Sequence, residues 1–210
     1  MNHIKLALYL LVVVSFSSTN AGSFDDFFRA VQGDDAAAVT KLLQLGFDSN
    51  AHDESGQSAI GLAVRSKSDR VLDALLKDPR LDINSRNRAG ETALMLVALQ
   101  GRLELAQRLI QQGAKVSQDG WNPLHYAATG PEPRIVALLM QRGAPIEARS
   151  PNGTTALMMA AGYGSEDSVA LLLAQHADAT ARNERGLNAA DFARLAGRES
   201  LTKRLESRLR

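Results

Sequence analysis

The chain has 210 residues, 45% hydrophobic and 22% charged, with 24 Lys+Arg against 23 Asp+Glu and no cysteine. Disulfide frameworks, cysteine-ligated zinc, iron–sulfur clusters and thiol nucleophiles are therefore excluded. A formal charge of +1 offers no global field for a polyanion, so non-specific nucleic-acid binding has no electrostatic basis.

The first element is an export segment. Lys5 precedes an apolar run from Leu6 to Phe16, interrupted only by Ser15 and followed by Ser17, Ser18, Thr19, Asn20 and Ala21. Eleven residues are too few to span a bilayer, which takes about 20. The order of charge, apolar stretch and small residues is that of a secretory signal, with cleavage expected after Ala21. No cysteine follows to carry a lipid, so the mature protein is expected in the periplasm or secreted. The chain beyond it is unevenly charged: residues 22–82 carry 7 bases and 11 acids, residues 83–210 carry 16 and 12.

Next comes an amphipathic helix pair. Phe24, Phe27, Phe28 and Val31 stand at i, i+3, i+4 and i+7, closed by Gly33. Asp34 and Asp35 open a second helix with Val39, Leu42 and Leu43, ending at Gly46. From there two marker series run in parallel. Gly56, Gly90, Gly120, Gly153 and Gly186 are spaced 34, 30, 33 and 33, while Leu42, Leu75, Leu109, Leu139 and Leu172 are spaced 33, 34, 30 and 33. A shared period with a shared irregularity marks a repeat architecture.

Each unit reads as two short helices and an extended turn. Thr92 caps a helix over 93–100 that Gly101 ends, and a second runs over 103–112 with Leu105, Ala106, Leu109 and Ile110 on one face. The fifth unit repeats this with Thr155, 156–162 and 166–175. Helices this short are marginal alone, and each unit closes its core only against the next. Three irregularities stand out: Asp78-Pro79-Arg80-Leu81 replaces a helix-ending glycine, the turn before Gly120 is about three residues short, and His176 replaces another glycine. The last unit turns polar, and Arg194, Arg198, Lys203, Arg204, Arg208 and Arg210 are expected on a water-facing cap closed by Leu195, Leu201 and Leu205.

The segment Asp119-Gly120-Trp121-Asn122-Pro123-Leu124-His125-Tyr126-Ala127-Ala128 resembles the ankyrin-repeat signature, as does Gly90-Glu91-Thr92-Ala93-Leu94. The resemblance covers about residues 24–210. It implies an all-α fold, an α-solenoid of about five to six helix-turn-helix units joined by short β-hairpin turns. The units are then a divergent N-terminal cap over 22–52, repeats over 53–86, 87–116, 117–149 and 150–182, and a C-terminal cap over 183–210.

No catalytic constellation emerges. His52, His125 and His176 lie in different units without metal-ligand spacing. His125 falls where ankyrin repeats commonly carry a histidine that bonds neighbouring turns. Asp25-Asp26 and Asp34-Asp35 read as helix-start acids. Neither a cofactor nor a metal is expected. The resemblance places contacts on hairpin tips and the ends of first helices. That maps onto Arg65, Arg86, Arg88, Leu99, Trp121, Arg149, Asn152, Tyr163, Arg182 and Arg185, with Glu54, Gln57, Gln100, Glu91, Asp119, Thr129, Thr154 and Leu187 around them. Trp, Tyr and Arg are the types that dominate interface energetics. Trp121, the sole tryptophan, reads either as such an anchor or as a cover for the short hairpin. The expected function is a non-catalytic protein-binding scaffold, monomeric alone, without nucleic-acid or membrane contact. Its specific role is an inhibitor or immunity-type partner of an exported protein, or else an accessory of an envelope or oxidative-stress enzyme.

Overall fold

The computed structural model describes residues 22–208; the signal segment expected over 1–21 lies outside them. The chain divides into two compact units, one ending at Asp82 and the other beginning at Ile83. Among the described residues both are all-helical, with no strand beyond isolated bridges.

The first unit holds α1 (22–32), α2 (Ala36–Gln44), α3 (Ala59–Ser66) and α4 (Asp69–Leu75). The apolar spacing of α1 delivers Phe27, Phe28 and Val31 to its core. Phe27 stacks on Phe47 with ring centroids 4.2 Å apart and meets Phe28 edge-on at 5.3 Å. Asp35 caps α2 as its position suggested, accepting from the Ala38 amide at 3.0 Å. Asp34 does something the sequence did not indicate. Its backbone is left-handed (φ 55°), and its carboxylate reaches the next helix pair, accepting from the Val71 amide and the Arg70 guanidinium, both at 2.9 Å. It thereby caps α4, whose own Ser68 makes no side-chain cap bond. Those two donors, the Val71 amide foremost, hold the Asp34 carboxyl below the usual carboxylate range. The irregular 78–81 segment reaches back in the opposite sense. Asp78 orients Arg80, which donates to the Leu43 carbonyl near the end of α2 at 3.0 Å.

The second unit holds α5 (Ala93–Leu99), α6 (Leu103–Gln111), α7 (Pro123–Thr129), α8 (Pro133–Gln141), α9 (Ala156–Tyr163), α10 (Glu166–Ala174), α11 (Ala189–Leu195) and α12 (Glu199–Glu206). The first helices form one layer, α5 on α7 on α9 on α11, and α6, α8 and α10 form the other. Each unit is thus a stack of helix pairs, the α-solenoid arrangement. The marker residues Leu75, Leu109, Leu139 and Leu172 are fully buried. Caps recur in register: Thr92, Asn122, Thr155 and Asn188 each accept from the amide three residues on. Neighbouring first helices approach so closely that a Cβ on Gly164 would lie 1.9 Å from the Ala128 carbonyl oxygen, and one on Gly130 would lie 2.5 Å from that of Ala98. His176 takes the left-handed helix-end conformation (φ 63°) that Gly113 and Gly143 take elsewhere.

The C-terminal pair departs from expectation in two ways. Leu195 does not close the stack and is 73% exposed, because it ends α11 on the face where Leu99 ends α5. Arg198 is not a solvated outer charge: its guanidinium donates to the carbonyls of Ala160, Ala161 and Gly164 at 2.9–3.1 Å, closing the end of α9. Arg194 and Arg204 are ion-paired as well, with Asp191 and Glu206 and with Glu166.

Candidate functional site

Four hairpins share one construction. The residue three before the turn glycine pairs with the residue after it, backbone N to O at 2.9–3.0 Å: Asp53 with Gln57, Asn87 with Glu91, Ser150 with Thr154, Asn183 with Leu187. The side chain of the first residue also accepts from the amide of the second. The hairpin around Gly120, three residues short, is built differently. Gln118 stands in for the missing backbone pair, its Nε2 donating to the Trp121 carbonyl at 2.7 Å and to the Gly90 carbonyl at 3.1 Å. Trp121 is held from beneath, half-buried, with its ring edge-on to His125 and centroids 5.3 Å apart.

That placement walls a groove of about 300 Å³ in the second unit, lined by Glu91, Leu99, Trp121, His125, Tyr126, Thr129 and Met159. Its lining is mostly apolar. At one wall Glu91 accepts from the Tyr126 hydroxyl at 2.9 Å and from Asn87 Nδ2 at 2.7 Å. At the base His125 is buried, its Nε2 3.0 Å from the Thr154 carbonyl and its Nδ1 2.9 Å from Asn122 Oδ1 and 3.3 Å from the Asn122 amide. Burial is the main cause that pushes its pKa below the ordinary histidine value, against the opposing pull of the Thr154 and Ala148 carbonyls. Matching positions in the other pairs carry Met95, Met158 and Asp191, each completing its own helix cap.

The structure brings Leu99 and Trp121 together in this groove, with Thr129 beside them. Arg149, Asn152, Arg182 and Arg185 fall along the hairpin edge that continues from it. A Cβ on Gly120 would touch Pro151, Arg149 donates to the carbonyls of Gly153 and Arg182, and the Asn152 carbonyl accepts from the Glu184 amide. Arg182 likewise donates to its own turn glycine, Gly186. Both arginines strap a hairpin while their side chains stay largely exposed. Arg86 and Arg88 are exposed on the hairpin before α5, where Arg86 bridges to Thr92. Tyr163, 67% exposed, ends α9 outside the groove lining, and Arg65 is exposed on the last turn of α3 in the first unit.

Sequence reasoning missed Tyr126 and Met159. The signal was there in register: Leu62, Leu96, Tyr126, Met159 and Phe192 all occupy the fourth position of a first helix. The first two are buried and the last three half-exposed, so this row opens to solvent towards the C-terminus. Among the described residues no group of three or more His, Cys, Asp or Glu could hold a metal, and no helix is long and apolar enough to cross a membrane.

A family model described as ankyrin repeats matches the chain three times, over residues 27–118, 63–150 and 95–185. Among curated proteins, Caenorhabditis elegans glp-1 is 35% identical over 62% of this chain and the Mus musculus B-cell lymphoma 3 protein homolog 32% identical over 69%. The aligned part is 11% of the former and 34% of the latter, so the chain spans a minor part of these relatives. A solved structure, the predatory endopeptidase Bd0816 of Bdellovibrio bacteriovorus in complex with immunity protein Bd3460, contains a similar chain. The match has a TM-score of 0.73 and 26% identity, covering 87% of this chain and 97% of that one.

Proposed function

The chain belongs to the ankyrin-repeat family, and on that premise we propose that it is a non-catalytic partner-binding protein of the periplasm or extracellular space, acting as an immunity-type partner of an exported protein. The observation that carries this reading is the open groove on the first-helix face, where Leu99, Trp121, Tyr126 and Met159 present an apolar wall without a catalytic set beneath it. Of the titratable groups in the lining, His125 is buried and bonded to Thr154 and Asn122, and Glu91 is bonded to Tyr126 and Asn87. The near-full-length likeness to a chain from an endopeptidase–immunity protein complex supports the specific role. The signal-like residues 1–21 support export. The proposed contact residues are Arg86, Arg88, Leu99, Trp121, Arg149, Asn152, Tyr163, Arg182 and Arg185 in the second unit and, separately, Arg65 in the first.

The test is affinity capture from the exported fraction with the full chain as bait, wild type against a Trp121→Ala, Tyr163→Ala double variant. A stoichiometric protein partner held by the wild type and lost by the variant is expected. Retention of the same partner by the variant, or accumulation of the full-length chain in the cytoplasm, overturns the proposal.

A further inference from the structure

Groove and hairpin edge together say what the partner must look like. The groove is at the small end of the range for ligand pockets, large enough for one bulky side chain and open on one side. Its walls are the Trp121 and Tyr126 rings, Leu99 and the Met159 thioether, surfaces that take aromatic or branched apolar groups. Beside it the hairpin edge is basic. Arg86, Arg88, Arg149, Arg182 and Arg185 are exposed along it, against Asp119 and Glu184 on the same tips. The one acid in the groove wall, Glu91, is turned to the Tyr126 hydroxyl and Asn87. Arg149 and Arg182 are held in place by turn carbonyls, which consume donors without neutralising charge; Arg182 also pairs with Asp191 at 3.8 Å, while its side chain stays 59% exposed. The edge is contiguous from Gly120 through Pro151 and Arg149 to Arg182.

Resting on the binding-module reading above, we propose that this surface takes an acidic protein segment that plants a single aromatic or large aliphatic side chain between Trp121 and Met159, with its flanking carboxylates over Arg149, Arg182 and Arg185. The apolar contact supplies the anchor. The flanking charges set approach rate and choice of partner, as rim charges do. Gln118 is a positioning residue in this arrangement, since its two bonds fix where the Trp121 backbone sits.

Trp121, as the sole tryptophan, makes its own emission a direct reporter of the groove. The full chain is titrated with three peptides, Glu-Glu-Phe-Glu-Glu, Lys-Lys-Phe-Lys-Lys and Glu-Glu-Ser-Glu-Glu. Only the first is expected to give a saturable emission shift, weakened at least threefold when salt rises from about 50 mM to about 500 mM. The Arg185→Glu variant is expected to lose most of that response at an unchanged melting temperature, since its side chain is exposed and straps no hairpin. Equal or tighter binding of the basic peptide overturns the acidic assignment and leaves the binding-module reading standing. Equal binding of the serine peptide overturns the anchor. A larger shift with anionic phosphatidylglycerol vesicles than with any peptide overturns the choice of a protein ligand. Failure of the capture experiment, by contrast, removes the binding-module reading itself.

Discussion

Among the described residues the two units each carry four aromatic residues and use them differently. In the first, Phe24, Phe27, Phe28 and Phe47 turn on one another, with ring centroids 4.2–6.4 Å apart. In the second, Trp121, Tyr126, Tyr163 and Phe192 are half-buried or exposed and sit one to a helix pair or hairpin. Charge divides along the same line, acids prevailing before Asp82 and bases after it. The lesson is that an aromatic residue marks an interface by its register. The phenylalanines fill the i, i+3, i+4 stripe of α1 and the turn beyond α2, so Phe27 and Phe28 become core and the half-buried Phe24 and Phe47 close over them. The second set stands on the face of the first helices, or beside a hairpin glycine, so it meets solvent.

Truncations should separate the two uses. Phe27→Ala removes a fully buried ring from the cluster and is expected to cost about 3–5 kcal/mol, read as a drop in urea midpoint. A loss below about 1 kcal/mol would mean that the first unit does not depend on its aromatic core. Next in size is Gly164→Ala, which drives a methyl against the Ala128 carbonyl and must part α9 from α7. About 1–3 kcal/mol is expected, and a neutral result would show that the second unit's stack is looser than its geometry.

A smaller effect is a pH dependence confined to the second unit. The folded pKa of His125 lies below its unfolded value of about 6.5, so the unfolded chain binds more protons beneath that pH. The stabilisation is complete above about pH 6.5 and declines as pH falls towards the folded pKa. Urea midpoints at about pH 7.5 and 5.5 should differ in this sense for the wild type, and the His125→Asn variant should flatten the difference. Equal slopes would remove His125 as the source. Smallest is Tyr163→Ala: the side chain is 67% exposed, and stability should stay within about 0.5 kcal/mol while partner capture weakens. A loss as large as that of Phe27→Ala would erase the contrast between the units.

Much of this fold was legible because repetition writes it several times. The 33-residue period, the caps Thr92 and Thr155, the turn glycines and the core leucines each follow from local spacing. So did the short hairpin before Gly120, although its substitute brace, Gln118, depends on a carbonyl 28 residues away and no local pattern announces that. The groove was half legible. Leu99 and Trp121 follow from the tip register, whereas Tyr126 and Met159 read as ordinary members of an apolar helix face until their exposure is known. The arginines were legible as a column, but their backbone partners were not. Arg149, Arg182 and Arg198 spend donors on backbone carbonyls, and a sequence does not show which carbonyls lie within reach.

Asp34, Arg80 and Arg198 share a property that bears on where this chain can be cut. Each closes a helix end belonging to a different pair from its own: Asp34 the start of α4, Arg80 the end of α2, Arg198 the end of α9. The period seen in the sequence is therefore not the period of self-sufficiency. Excising one pair at its sequence limits strips a cap from a helix left behind, and exposes backbone groups that were satisfied. A shortened or permuted chain would hold together only if its breaks also carry the donor or carboxylate that the neighbour had lent.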